Sequence, residues 1–101
     1  MIARIWRGVV NADRAEEYLQ YIRDTGVADY RATPGFRDVQ MLTRTRDGRT
    51  LITVVSLWDS LDSVKAFAGE EYEAAHYYPE DEEFLVERFD TVEHHEVVDP
   101  G

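Results

Sequence analysis

Residues Ile2 to Val10, IARIWRGVV, alternate in the two-residue rhythm of a strand, with Ile2, Arg4 and Trp6 on one face and Ala3, Ile5, Arg7 and Val9 on the other. The period then lengthens. In NADRAEEYLQYIRDTGVADY the positions Ala15, Tyr18, Leu19 and Ile22 recur at helical intervals, and Asp13 and Glu16 stand in capping-box spacing. This predicts an amphipathic helix that runs into the high twenties and ends before Thr33-Pro34-Gly35. The two-residue rhythm returns in GFRDVQMLTRTR, where Phe36, Val39 and Met41 punctuate a polar run, and Asp47-Gly48 supplies the chemistry of a tight turn. Arg49 to Trp58, RTLITVVSLW, is the most continuously apolar segment. It completes a hairpin and reads as a central strand covered on both faces.

A second helix is predicted from Ser60, a natural cap, with Leu61, Val64, Phe67 and Ala68 on one stripe. Gly69 divides it from a further helical piece in which Tyr72, Ala75 and His76 share a face, and Pro79 closes that piece. Tyr77 and Tyr78 read as a lid on the helix end, packed against the last strand. Glu83 to Val98 reads as one long strand, with Phe84, Val86, Val92 and Val98 in one phase and Leu85, Phe89 and Val97 in the other. Such a length exceeds the usual ~5 to 6 residues and points to pairing with a second subunit. Asp99 to Gly101 reads as a frayed tail.

The order β-α-β-β-α-β is the ferredoxin-like split βαβ arrangement, an α+β fold with one antiparallel sheet and helices on one of its faces. Apolar residues in both phases of the third and last strands predict that a second copy covers the other face, giving a dimeric α+β barrel. The chain reads as a single domain over residues 1 to 101.

Composition narrows the function classes. The 11 basic and 21 acidic residues give a formal net charge of −10, which disfavours nucleic acid and anionic membrane surfaces as partners. The acidic residues crowd between Glu70 and Glu83, without EF-hand or HExxH spacing, and read as a solvated face; no metal is expected. There is no cysteine, which removes disulfides and thiolate chemistry and is compatible with a reducing cytoplasm. No run approaches the ~18 apolar residues of a membrane span. No nucleophile-elbow motif presents a serine, so hydrolase chemistry has no support.

With that order in place, GFRDVQMLTR, LITVVSLWDSLDSVKAF, YEAAHYYPED and VEHHEVV resemble the antibiotic biosynthesis monooxygenase-like family of dimeric α+β barrels. The resemblance covers nearly the whole chain. It implies a homodimer with a cavity between helices and sheet in each subunit. It also implies a range of activities, from cofactor-free oxygenation of phenolic or quinol-like molecules to heme degradation, alongside members with no assigned substrate. The heme-degrading members resemble this chain in the segment that carries His76, which would then be the heme ligand. They also need a tryptophan about three helical turns earlier and an asparagine on the first strand. Here those places hold Ala66 or Phe67, and Trp6, Arg7 or Gly8. The expected cofactor is therefore none, with heme as the alternative.

The candidate catalytic residues are His76, Tyr72 and Arg7, and the candidate substrate-binding residues are Trp58, Trp6, Arg4 and Phe67. A histidine titrates near neutrality and can take a proton from a phenol, while an arginine can stabilise a developing oxyanion. The expected ligand is a small aromatic or apolar molecule. Each residue also has a structural reading: His76 as a packed, hydrogen-bonded ring, Trp58 as core, Tyr72 as packing with its hydroxyl in solvent, and Arg4 with Trp6 as a cation-π pair. Arg4 and Arg7 differ by an odd number, so only one of them faces the helices. His94 and His95 point to opposite faces of a strand and cannot share a metal; with Glu93 and Glu96 they read as surface charges.

Overall fold

A computed structural model describes residues 1–99; of the expected frayed tail, only Asp99 lies within the described residues. Strand β1 (Ile2–Asn11) leads through a single turn of 3-10 helix (Ala12–Arg14) into α1 (Ala15–Ile22), a π-helical stretch (Arg23–Val27) and α2 (Ala28–Arg31). Next come β2 (Phe36–Arg46), β3 (Arg49–Trp58), α3 (Leu61–Ala68), a non-helical segment, the one-turn α4 (Asp81–Phe84), β4 (Leu85–Arg88) and β5 (Glu93–Glu96). The sheet order is β2-β3-β1-β4, and β5 also pairs with β1; every pairing is antiparallel. This is the ferredoxin-like α+β arrangement. No described helix is long and apolar enough to cross a membrane.

The hairpin forms as its sequence demands, with Asp47 (φ 53°) and Gly48 (φ 77°) both left-handed at the turn. Ser60 caps α3 by accepting from the Ser63 amide. Gly69, at φ 82°, terminates that helix. On β1, Arg4, Trp6, Gly8 and Val10 face the helices and are buried, as are Thr50, Ile52, Val54, Ser56 and Trp58 of β3. The residues between them on β3, Leu51, Thr53, Val55 and Leu57, are only half-buried in the single chain. Within the single chain the helices cover one face of β3.

Three expectations are corrected. Asp13 and Glu16 form no capping box, because the helical segment opens as a 3-10 turn after Asn11 and no side chain bonds its first amides. Tyr72, Ala75 and His76 are not on a helix: the Ala75 amide donates to the Asp90 carbonyl (2.8 Å) and the Val92 amide to the Glu73 carbonyl (2.9 Å), so long-range bridging replaces helical bonds. Three glutamates at 70, 71 and 73 add like-charge repulsion that a helix would concentrate. The long last strand is interrupted. Glu83 and Phe84 end α4, and residues 89–92 leave the sheet to meet 73–75, so that β4 pairs with the end of β1 and β5 with its start.

Gly8 sits where the sheet is most crowded. A Cβ there would lie 2.7 Å from Leu85 Cδ2 and 2.8 Å from the Trp6 ring carbon Cη2. Gly8→Ala is expected to lose about 1 kcal/mol or more in urea denaturation, because overpacking costs ~1–3 kcal/mol and exceeds the ~0.5–1 kcal/mol gained by replacing a strand glycine.

Candidate functional site

The helix-facing side of β1 and the first helical segment enclose a half-open cleft lined by Arg4, Trp6, Tyr18, Ile22, Thr25, Gly26, Tyr30, Val54, Phe67, His76, Tyr78 and Asp81. Its empty space, mouth included, is about 400 Å³. Sequence spacing explains one wall: Tyr18, Ile22, Gly26 and Tyr30 recur every four residues along one helical face, with Thr25 beside Gly26. The π-helical stretch carries Thr25 and Gly26, and such stretches recur at functional positions. The wall is aromatic and supported from behind. Trp58 is fully buried, donates its indole N–H to Ser56 Oγ (2.9 Å), and packs edge-on to Tyr30 (centroids 5.7 Å) and stacked on Phe67 (5.8 Å).

Arg4 lies in the cleft wall with only 2% of its surface exposed. Its Nη1 donates to the Tyr72 carbonyl (2.6 Å) and to His94 Nε2 (3.0 Å). Since a guanidinium has only donors, Nε2 accepts and His94 carries its proton on Nδ1. Arg4 lies over the Phe67 ring (5.7 Å), so its cation-π partner is Phe67 where the sequence suggested Trp6. Burial pulls its pKa below the usual guanidinium range, with Tyr30 acting in the opposite sense. Among the described residues no carboxylate forms an ion pair with it. Arg4 Nε and Trp6 Nε1 are both buried without a hydrogen-bond partner, each worth about 1–3 kcal/mol of uncompensated desolvation.

The mouth is formed by the segment after α3. His76 is exposed there, its ring tilted against Phe67 (5.9 Å) and edge-on to Tyr78 (5.0 Å), with no hydrogen bond to another described residue. Tyr78 spans the cleft: its hydroxyl donates to Asp29 and its amide to Asp81 Oδ2 (2.5 Å). Asp81 is buried, and its Oδ1 accepts from the Tyr18 hydroxyl (2.8 Å). Burial and the adjacent carboxylates push both Tyr18 and Tyr78 well above the usual phenol range, so both stay protonated. Burial likewise raises Tyr30.

The structure thus brings together Arg4, Trp6, Phe67 and His76 of the sequence-derived candidates. It does not bring in the others. Tyr72 offers its backbone carbonyl to Arg4 while its ring packs edge-on to His94 (5.3 Å), outside the cleft lining. Trp58 stands behind the wall. Arg7 is on the opposite sheet face, paired with Glu93 (2.6 Å) beside a second hollow lined by Ile5, Phe89, Thr91 and Glu93. Glu93 also accepts from His95 (2.9 Å), and these bonds hold its pKa below the carboxylate range. Sequence reading did not single out Tyr18, Tyr30, Asp81 or His94 for the site. Tyr18 was visible only as part of a helical core stripe, and nothing distinguishes Asp81 within its acidic run.

An antiparallel ferredoxin-like sheet with an aromatic cleft under its helices defines the class of small α+β proteins to which this chain belongs. The sequence profile of the antibiotic biosynthesis monooxygenase family matches residues 1–78, and the chain belongs to that family. No curated protein matches it. Among solved structures it is similar to an antibiotic biosynthesis monooxygenase-type protein from Bacillus cereus (TM-score 0.68, 15% identity, 99% of this chain and 93% of that one). It is also similar to the heme-degrader MhuD from Mycobacterium tuberculosis, solved with two hemes in its active site (TM-score 0.59, 23% identity, 100% of both chains). At these identities the likeness establishes the fold alone.

Burial and the Arg4 cation lower the pKa of His94 from its ordinary 6.5; His95 lowers it further and Glu73 opposes them. Below pH 6.5 the unfolded chain therefore binds a proton that the folded chain resists, so stability falls as pH drops through that window and the ring contributes no pH dependence above it. In urea denaturation between pH 7.5 and 5.5, His94→Gln is expected to lose less stability than the wild type, since glutamine can still accept from Arg4 without titrating. An equal slope for both proteins would dissociate His94 from the effect.

Proposed function

We propose that the protein is a cofactor-free monooxygenase that oxidises a phenolic or quinol-like molecule in this cleft. The observation that carries the reading is the exposed His76 imidazole at the mouth of an aromatic cleft whose wall contains the Arg4 guanidinium. His76 accepts the substrate proton, and the resulting electron-rich anion reduces dioxygen, which is the oxidant. For a CH₂ group flanked by aromatic rings, one oxygen atom becomes the new carbonyl and the other leaves as water, so no external reductant is needed. Tyr18, Tyr30 and Phe67 orient the rings and exclude water from the intermediates. Arg4 and Trp6 serve as the substrate-binding residues of the sheet. Arg7 and the Tyr72 side chain have no position in this mechanism, and Trp58 acts by holding Tyr30 and Phe67 in place.

A second reading is heme binding through His76, favoured by the absence of a hydrogen bond to that ring and by the two hemes in MhuD. The cleft does not fit a group of that size, because Tyr78 bridges it to Asp29. Hemin titration separates the two readings, because ligation by His76 requires a Soret shift that disappears in His76→Ala.

Oxygen uptake with dihydroquinones and anthrones is expected for the wild type, with kcat/KM reduced about 100-fold or more in His76→Ala, the range of a general base. Uptake undiminished in the variant would remove His76 as the base.

The reading includes a homodimer. The sheet face opposite the helices carries half-buried Ile5, Val9, Leu51, Val55 and Leu57, and Val86 and Phe89 are exposed. Sedimentation at micromolar concentration is expected to give twice the chain mass; a monomer there contradicts it.

A further inference from the structure

Resting on the reading of the cleft as a substrate site, we propose that its ligand is an aromatic anion whose carboxylate or ionised phenolic oxygen accepts hydrogen bonds from Arg4 and Trp6. A buried cation is retained only with compensation, usually a carboxylate partner. Arg4 is almost fully buried and has none among the described residues. One end of its guanidinium is committed, since Nη1 serves the Tyr72 carbonyl and His94, while Nε has no acceptor. Two residues along the same face of β1, the Trp6 indole N–H is also buried without an acceptor. Arg4 and Trp6 both belong to the cleft lining.

Among the described residues none accepts from them. Asp81 also borders the cleft, but its oxygens are engaged by the Tyr18 hydroxyl and the Tyr78 amide. Tyr18 and Tyr78 donate their protons to Asp81 and Asp29. What the orphan donors lack is an oxyanion, and what the remaining wall offers is ring surface from Phe67, Tyr30 and Tyr18. The net charge of −10 works against anions at long range, so selectivity for one comes from the buried guanidinium. The wall on the mouth side, His76 to Tyr78, is in the non-helical segment after α3.

The test is isothermal titration of the full chain with 2-naphthoate and with 2-naphthalenemethanol, which share a ring system and differ in charge. The naphthoate is expected to bind about tenfold or more tightly than the alcohol, the scale of a charge-assisted hydrogen bond. Arg4→Met is expected to erase that preference, and Trp6→Phe, which removes the N–H donor together with part of the ring, to reduce it about threefold. The wild-type comparison stands even where Arg4→Met does not fold. Equal affinity for the two ligands, no binding of naphthoate, or a preference that survives in folded Arg4→Met overturns the proposal. Anion preference without oxygen uptake from any substrate leaves this inference standing and removes the oxygenase reading; uptake without anion preference does the reverse.

Discussion

The buried Arg4 guanidinium joins three parts of the chain on the helix-facing side of the sheet. From near the start of β1 it reaches the Tyr72 carbonyl in the segment after α3 and the ring of His94, its register partner on β5, and it lies over Phe67 at the end of α3. A guanidinium removed from water must satisfy its donors or be costly to the fold. The protein meets that demand for one nitrogen only. The bonds that are made hold the Tyr72 carbonyl and orient the ring of His94, whose place strand pairing sets, and the character of the cleft follows from the donor that is left over.

Around this cation the packing is aromatic. Trp58, Phe36, Tyr30 and Phe67 form one connected group, with ring centroids 4.9 to 6.0 Å apart where they touch. Tyr18, Tyr21, Phe84, Trp6 and Tyr77 form another on the other side of the cleft. Rigid rings with few rotatable bonds keep an open space between them better than aliphatic chains, which collapse to fill it. The cleft is thus a consequence of which side chains face inward from β1, α1, α2 and α3. The helical elements set its width, and the π-helical stretch places Gly26 where a Cβ would approach the Tyr78 ring at 3.7 Å.

Much of the fold was legible because it depends on local period. The alternation in IARIWRGVV, the Asp47-Gly48 turn and the Ser60 cap each correspond to an observed element. The segment around His76 was not legible. Its spacing of Tyr72, Ala75 and His76 satisfies a helix equally well, and what prevents the helix is a bridge to residues 90–92 that lies outside any sequence window. The same exchange breaks the last strand: when 89–92 turns to meet 73–75, its alternation still looks continuous on paper.

What the sequence by itself determined was the order of elements, the antiparallel hairpin, the family, and the fact that Arg4 and Arg7 lie on opposite sheet faces, because all of these follow from periodicity and the alternation of side chains along a strand. Only the tertiary structure decided that Arg4 is the inward one, that His76 stands at a mouth while Trp58 stands behind a wall, and that Tyr72 contributes a carbonyl in place of its ring. The reason is physical. Which face of a strand is buried is set by what packs on it, and where a buried cation finds its acceptors is set by chain segments some seventy to ninety residues away, at sequence separations of 68 for Tyr72 and 90 for His94.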